Sequence, residues 1–245
     1  MTFSATYFGS SSWLVEIDNF RILIDPWFKG DLVFLPGPWL IKGTLKSNFQ
    51  VPKKINLILL TQGLPDHSHP ESLDLFNRSI PIIGSAGAVK VVYKLGFRNI
   101  SKLLPGQSLK IDHITIEATA GANVPNPENG YIVSNKNFSF YVEPHGFLDQ
   151  HIKPRHVDVI FTPVVDLSIP LAGSFIEGKS ILPKLLKTFT PHTIFASTTG
   201  GDATFTGILN NLISVNGTYE EASKVINGDS IFINPVLDKL YEIKI

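Results

Sequence analysis

Cysteine is absent from the 245 residues, and this absence removes several classes of protein. A chain without thiols cannot form a disulfide framework, a cysteine-ligated zinc finger, an Fe–S cluster or a thiol nucleophile. Any metal must therefore be bound by His, Asp or Glu. No stretch has the roughly 18 apolar residues that span a bilayer, and the first residues lack the basic and apolar regions of a signal peptide. We expect a soluble, cytoplasmic protein without a membrane span.

Charge is scarce and balanced. Charged residues make up 17% of the chain, against about a quarter in ordinary soluble domains. The 21 basic and 21 acidic residues cancel, so no overall field attracts nucleic acid, and we expect no nucleic-acid partner. Hydrophobic residues account for 43%, with 17 Phe, 19 Gly and 17 Pro, which excludes disorder and coiled coil. We expect residues 1–245 to form a single domain.

Strand-rich and helix-alternating blocks occur twice in succession. The sequence predicts strands at residues 4–8, 12–17, 21–24, 56–61, 113–118, 130–134, 138–142, 157–162 and 193–196. It predicts helices at residues 70–77, 86–95, 180–189 and 219–225, and a long irregular stretch at residues 25–54. Two β-rich halves, each with helices for one face, predict an α+β fold, a four-layer α-β-β-α sandwich.

The most informative segment follows the apolar run at residues 56–61. It reads Thr61-Gln62-Gly63-Leu64-Pro65-Asp66-His67-Ser68-His69-Pro70. A carboxylate and two imidazoles lie here between a buried strand and the start of a helix. Such oxygen and nitrogen donors suit a divalent metal. The residues alone equally allow Asp66, Ser68 or His69 to cap the helix, with solvated histidines.

This segment resembles a motif of the metallo-β-lactamase-fold hydrolases, Thr-His-x-His-x-Asp-His. The resemblance is greatest to the branch with sugar-lactone hydrolases and phospholipase-D-like enzymes. Residues 7–16 resemble the opening hairpin of that branch, residues 22–27 its third strand ending in Asp-Pro-Trp, and residues 129–133 a later strand. The markers follow the family order across the first 145 residues. The resemblance implies a metallo-β-lactamase-like α-β-β-α sandwich.

The chain departs from the family at most metal-binding positions. Gln62 and Leu64 stand where the family has its first two histidines. Residues 120–125 and 197–202, where the family has two later histidines, contain none. Glu143 and His145 flank the position of the carboxylate that bridges two metals in the family. The dinuclear site of the family therefore cannot be present in its usual form.

A substitute set of ligands remains. Asp66 and His67 on one loop, with Glu143 and His145 on another, would suit one zinc, manganese or iron ion with an open position for water. A bound metal would lower the pKa of that water toward neutrality. Asp66 or Glu143, if not itself a ligand, is the natural proton acceptor for attack on an ester, lactone or phosphodiester, and we take Asp66 as the catalytic residue. Alternatively, Glu143 and His145 form a buried structural pair, and the protein holds no metal.

The irregular aromatic segment at residues 27–41 is long for a compact domain, and such segments are commonly functional. We consider it as an apolar lid over the cleft, with Trp27, Trp39, Gln62, Leu64 and His69 contacting a small, apolar ligand. A dimer contact, or a loop folded onto the core, fits the same residues. Two functions stay open: a divergent hydrolase with at most one metal, and a non-catalytic protein that binds an apolar small molecule. The sequence does not decide between them.

Overall fold

Two large β-sheets packed face to face form the centre of the structure. The computed structural model describes residues 2–47, 49–123, 127–226, 228 and 230–244, which form two seven-stranded and two three-stranded sheets. The strands are β1 (Phe3–Gly9), β2 (Ser12–Ile17), β3 (Phe20–Ile24), β4 (Asp31–Val33), β5 (Lys42–Leu45), β6 (Leu57–Leu60), β7 (Ile82–Gly84), β8 (Ile100–Lys102), β9 (Ser108–Ile111), β10 (Ile114–Asn123), β11 (Pro127–Ser134), β12 (Ser139–Val142), β13 (Val159–Thr162), β14 (Asp166–Ile169), β15 (Gly173–Glu177), β16 (Thr193–Ala196), β17 (Ala203–Thr206), β18 (Ser214–Asn216), β19 (Ile231–Ile233) and β20 (Leu240–Ile243). The helices are α1 (Pro70–Leu73), α2 (Ala86–Lys94), α3 (Gly178–Phe189) and α4 (Tyr219–Val225), with a 3₁₀ turn at Leu209–Asn211.

The two large sheets have the same plan. The first has the order β20-β1-β2-β3-β6-β7-β8, and the second has the order β19-β16-β13-β12-β11-β10-β9. In each, an antiparallel meander continues into parallel strands, from β3 to β6, β7 and β8 in the first and from β12 to β13, β16 and β19 in the second. The repeated pattern along the sequence thus corresponds to two similar half-structures.

Strand β6 shows how the four layers arise. All four of its residues are buried, and successive side chains of a strand point to opposite faces. Leu57 and Leu59 pack in the core between the sheets, whereas Ile58 and Leu60 pack toward α1 and α2. On the other outer face, α3 and α4 cover the second sheet. The predicted α+β, four-layer α-β-β-α sandwich is confirmed.

Trp13 joins the two sheets at the centre of the core. Its side chain is fully buried on β2, and its ring centroid lies 4.6 Å from those of Tyr7 and Phe161. Burial of an indole requires a partner for its N–H. Nε1 donates to Ser197 Oγ at 2.9 Å, just beyond β16 of the second sheet.

The stretch at residues 25–54, predicted to be irregular, contains β4 and β5. Strand β4 pairs with β5, and β5 pairs with β17, about 160 residues later in the chain, so the three form a small sheet. A pairing over that distance leaves no local signal in the sequence.

The aromatic segment at residues 27–41 has a buried part and an exposed part. Trp27 is only 2% exposed and Phe28 packs in the core, whereas Trp39 is 58% exposed.

Helix α1 is shorter than predicted. It ends at Leu73, and the next residues continue in tighter turns, with Leu75 N–H donating to Ser72 O and Phe76 N–H to Leu73 O. No helix in the described part of the chain is long and apolar enough to cross a bilayer.

The two tryptophans of the aromatic segment should differ strongly in their effect on stability. Trp27→Ala removes a buried ring whose Nε1 donates to Gly30 O at 3.1 Å, and we expect it to lower the free energy of unfolding by about 3–5 kcal/mol. Trp39→Ala removes a mostly exposed ring and should cost less than about 1 kcal/mol. Urea denaturation measures both values. Equal losses would contradict this division of the segment.

Candidate metal site

The ends of β3 and β6 are joined by a buried carboxylate. These strands are parallel neighbours, with Ile24 opposite Leu59, so the residues that follow them meet at one edge of the sheet. Asp25, 1% exposed, accepts hydrogen bonds from Thr61 N at 2.9 Å and from Thr61 Oγ1 at 2.5 Å. Asp25 therefore fixes the start of the loop that carries Asp66 and His67.

The same carboxylate orients His67. Asp25 Oδ2 lies 2.8 Å from His67 Nδ1, and both side chains are fully buried. Nδ1–H donates to the Asp25 carboxylate, and Nε2 faces Asp66 Oδ2 at 3.2 Å. Burial lowers the pKa of His67, but the carboxylates of Asp66 and Asp25 outweigh burial and hold this pKa well above its usual range.

The second sheet supplies a matching pair. Strands β11 and β12 are antiparallel with Tyr131 opposite Val142, and the same register continued outward places Glu128 opposite His145. His145 Nδ1 lies 2.7 Å from Glu128 Oε1. Both residues are buried. An imidazole held through Nδ1 by a carboxylate thus occurs on each sheet.

Glu143 lies directly beside this pair. Its Oε2 accepts hydrogen bonds from the backbone N–H groups of His145 at 3.2 Å and Phe147 at 2.5 Å. Its Oε1 accepts from Ala122 N at 3.3 Å, and the same N–H lies 3.2 Å from Glu128 Oε1. Glu143 therefore has a backbone donor on each oxygen.

The pairs from the two sheets meet in one group. One potential ligand atom from each of His67, Glu128 and His145 lies within 4.8 Å of the other two, and the two imidazole centroids are 5.3 Å apart. At this group, Asp66 Oδ1 and Glu128 Oε2 have no hydrogen-bond partner among the described residues, and the contact of His67 Nε2 is with Asp66 Oδ2 at 3.2 Å. Polar atoms are costly to bury without a partner. Two imidazoles and a carboxylate fit one divalent zinc, iron or manganese ion, which would satisfy such atoms.

Carboxylates outnumber imidazoles here, and the four carboxylates are Asp25, Asp66, Glu128 and Glu143. Burial raises the pKa of Glu128 to about 7, while burial and the neighbouring Glu128 carboxylate raise that of Glu143 well above its usual range. Burial also raises the pKa of Asp66, but the charge of His67 outweighs it and the net shift is downward. Burial and the charge of His67 lower the pKa of His145. The group thus favours either protons on its glutamates or a bound cation.

The structure brings the four predicted ligands to one region, in different positions. His67 and His145 face each other with their rings in contact distance, and Glu143 lies buried beside His145. Asp66 has a side chain that is 23% exposed, with Oδ2 at 3.2 Å from His67 Nε2, so it borders solvent. The ligand set itself stays a prediction.

The other predicted contact residues make contacts within the protein. Gln62 is buried, with its backbone O accepting from Ser68 Oγ, and Leu64 O accepts the N–H groups of His67 and Ser68. His69 caps α1, because its Nδ1 accepts from Ser72 N at 3.3 Å. This is the capping alternative allowed by the sequence. A contact of Gln62, Leu64, His69, Trp27 or Trp39 with a ligand stays a prediction.

Sequence reasoning missed Asp25, Thr61 and Glu128. Asp25 was visible only as part of the Asp-Pro-Trp marker, and Glu128 directly precedes the marker at residues 129–133. The family has a histidine in the segment that corresponds to residues 120–125, and this chain has none there. Residues 124–126 lie outside the described residues. The described residue Ala122 contributes a backbone N–H there.

Comparisons with known proteins agree with this fold. A family profile described as a beta-lactamase superfamily domain matches residues 4–196. An isothiocyanate hydrolase from Delia radicum gut bacteria is 17% identical, with 97% of this chain and 98% of that chain covered and a TM-score of 0.71. A metallo hydrolase from the archaeon Ignicoccus hospitalis is 17% identical, with 100% of both chains covered and a TM-score of 0.66.

A third solved structure belongs to a longer enzyme. The diiron β-hydroxylase CmlA from Streptomyces venezuelae is 14% identical, with a TM-score of 0.64, 100% of this chain covered and 54% of that chain. The chain therefore spans about half the length of that enzyme. No curated protein matches the sequence. At such identities the solved structures show a shared fold alone.

The buried Glu128 should make the stability of the metal-free protein depend on pH. Its pKa rises from 4.5 to about 7 on folding, so the folded state holds a proton that the unfolded state releases, and Glu128 lowers stability as pH rises through this interval. Glu128→Gln removes the effect. In urea denaturation with chelator, the stability of this variant relative to the native protein should rise by up to about 3 kcal/mol between about pH 4 and about pH 8. A difference independent of pH would contradict this expectation.

Proposed function

The chain belongs to the beta-lactamase superfamily and has the metallo-β-lactamase fold, and on this basis we propose that it is a metal-dependent hydrolase with a site for one divalent cation. The observation that carries the proposal is the meeting of His67, Glu128 and His145 in one buried group, beside which Glu128 Oε2 and Asp66 Oδ1 have no hydrogen-bond partner among the described residues. The solved structures of the same fold include two hydrolases and a diiron enzyme, and these also support a metal-dependent activity.

The protein would bind the cation through side chains from both sheets. His67, held at Nδ1 by Asp25, directs Nε2 into the group. His145 Nδ1 and Glu128 Oε1 lie 2.7 Å apart, so a cation bound by both side chains would take the place of this hydrogen bond, and Glu128 Oε2 is a further oxygen without a donor. Fixing an imidazole through its second nitrogen raises its basicity and sets its orientation. We therefore assign His67, His145 and Glu128 as ligands for zinc, iron or manganese.

The sequence supports a single cation. At the positions of the first two histidines of the family, Leu64 offers no donor atom and Gln62 offers only a neutral amide. His67 and His145 both belong to the one group described above, while the nearby His69 uses its ring nitrogens for Ser72 and Asp31. Among the described residues, a second cation beside this group would therefore lack imidazole ligands.

Asp66 is the proposed proton acceptor. A bound divalent cation would lower the pKa of a coordinated water toward neutrality. The Asp66 side chain borders solvent and its Oδ1 is unpartnered. Without metal, the charge of His67 holds the pKa of Asp66 low. With His67 as a neutral ligand, the cation would supply that positive charge beside Asp66, so this carboxylate could take a proton from an attacking water and pass it to solvent.

The proposed substrates carry an ester, lactone or phosphodiester bond. Support comes from the resemblance to the branch of sugar-lactone hydrolases and phospholipase-D-like enzymes, whose opening markers correspond here to the β1–β2 hairpin and to β3 with Asp25. We further propose that residues 1–245 act as one domain on a small-molecule substrate.

The alternative is a non-catalytic protein that binds an apolar small molecule in the cleft. Leu64 favours this alternative, because its alkyl side chain stands where the family has a metal-binding histidine. Two surface hollows, of about 340 and 620 Å³, are lined by residues such as Phe8, Leu14, Lys110 and His113, and neither is lined by the residues of the metal group. Binding at either hollow would therefore be separate from the proposed site.

Metal analysis tests the proposal. Metal-free protein is titrated separately with Zn²⁺, Mn²⁺ and Fe²⁺, and bound metal is measured by elemental analysis after desalting. We expect one equivalent in the native protein and none in His67→Ala or His145→Ala, because each loses an imidazole ligand. His192→Ala is the control and should keep one equivalent, since His192 Nδ1 contacts Thr193 Oγ1 outside the group.

Activity should follow the metal. Hydrolysis of an ester, a lactone or a phosphodiester is expected only in the metal-loaded native protein and in the control variant, while Asp66→Asn should keep the metal and lose most of the rate. Equal metal content in all three histidine variants would exclude the assigned ligands. Two equivalents in the native protein would contradict a site for a single cation.

A further inference from the structure

Two neighbouring glutamates, Glu128 and Glu143, reach the same group, and their surroundings differ. We propose that Glu143 is a positioning residue that holds His145 and Glu128 in place for the cation, in contrast to the ligand role that the sequence predicted for it. This inference rests on the proposed function, because it assigns a task within the same site.

The hydrogen bonds of the two carboxylates separate their roles. Both oxygens of Glu143 accept backbone N–H groups, two at Oε2 and one at Oε1. Glu128 engages Oε1 with His145 Nδ1 and Ala122 N, and its buried Oε2 accepts from no donor among the described residues. The two carboxylates also lie within hydrogen-bonding distance of each other. The oxygen left for a cation therefore belongs to Glu128.

The donors that Glu143 binds belong to the backbone around the ligand His145. The N–H of His145 and the N–H of Phe147 both point at Oε2, so the carboxylate closes the turn that carries the imidazole. The third donor, Ala122 N, is shared with Glu128 Oε1 and connects the turn to β10. Because Glu143 Oε2 already accepts two donors, a ligand role for this oxygen would have to release one of them.

Two glycines provide the space for the two carboxylates. A Cβ at Gly130 would lie 3.2 Å from Glu143 Cγ and 2.5 Å from Thr119 Oγ1, and a Cβ at Gly121 would lie 2.7 Å from Glu128 Cγ. Neither glycine has the positive φ that favours glycine over other residues. At both positions glycine is therefore explained by space, and the backbone is shaped to accommodate both glutamates.

The test compares Glu143→Gln with Glu128→Gln, two isosteric changes at adjacent carboxylates. Zn²⁺ binding is measured by calorimetry on the full chain. We expect Glu143→Gln to keep one equivalent with an affinity about 10–100-fold lower, the usual effect of losing a residue that orients a ligand, and Glu128→Gln to lose saturable binding. Visible spectra of the Co²⁺ complexes of the native protein and Glu143→Gln should match, because the donor set is unchanged.

A metal-free measurement separates this inference from the proposed function. Hydrogen exchange in residues 144–148 should be faster in Glu143→Ala than in the native protein, because the amides of His145 and Phe147 lose their acceptor, and it should be unchanged in Glu128→Gln. If the native protein binds no metal, the proposed function fails, yet this exchange result still decides the positioning role.

Two results would overturn the inference. The first is complete loss of Zn²⁺ binding in Glu143→Gln, equal to that in Glu128→Gln, together with a Co²⁺ spectrum that differs from that of the native protein. The second is native-like hydrogen exchange of residues 144–148 in Glu143→Ala, which would show that the carboxylate does not hold the turn.

Discussion

The hydrogen bond between His67 Nδ1 and Asp25 Oδ2 determines where the rest of the site can form. Asp25 is itself fixed by Thr61, so the imidazole is attached to the ends of two parallel strands of the first sheet. Its ring then lies near Glu128 and His145, which belong to the second sheet. The group exists only while the two sheets are packed together, and the core around Trp13 is therefore also the support of the site.

Charge gives the group its chemical character. Four carboxylates and two imidazoles are enclosed in a small buried volume, where unpaired charge is costly. The ion-pair partners of Asp25, Asp66 and Glu128 among the described residues are imidazoles. Protons on the glutamates can neutralise the excess of negative charge, as the raised pKa values of Glu128 and Glu143 indicate. A divalent cation can do so as well, and it would also satisfy the unpartnered ligand atoms.

Most of the fold could be predicted from local patterns, whereas the site could be predicted only in part. The apolar run at β6 and the amphipathic segments at α2, α3 and α4 carry their signals within a few residues, and these elements are confirmed. Pairing of β5 with β17 depends on distant parts of the chain and was missed.

The same distinction applies to the site residues. Asp66 and His67 stand out because they share one loop with other polar residues. Asp25 and Glu128 do not, since their partners come from strand register and from the packing of the sheets. Register past a strand end is not visible in local sequence, and the predicted strand at residues 130–134 begins three residues after β11 does.

Anomalous X-ray diffraction tests the central claim most directly. Data would be collected above and below the zinc absorption edge from crystals of the full chain grown with Zn²⁺. The account predicts one strong anomalous peak within bonding distance of His67 Nε2, the His145 ring and Glu128 Oε2. A pair of peaks there, or no peak beside these atoms at saturating Zn²⁺, would contradict it.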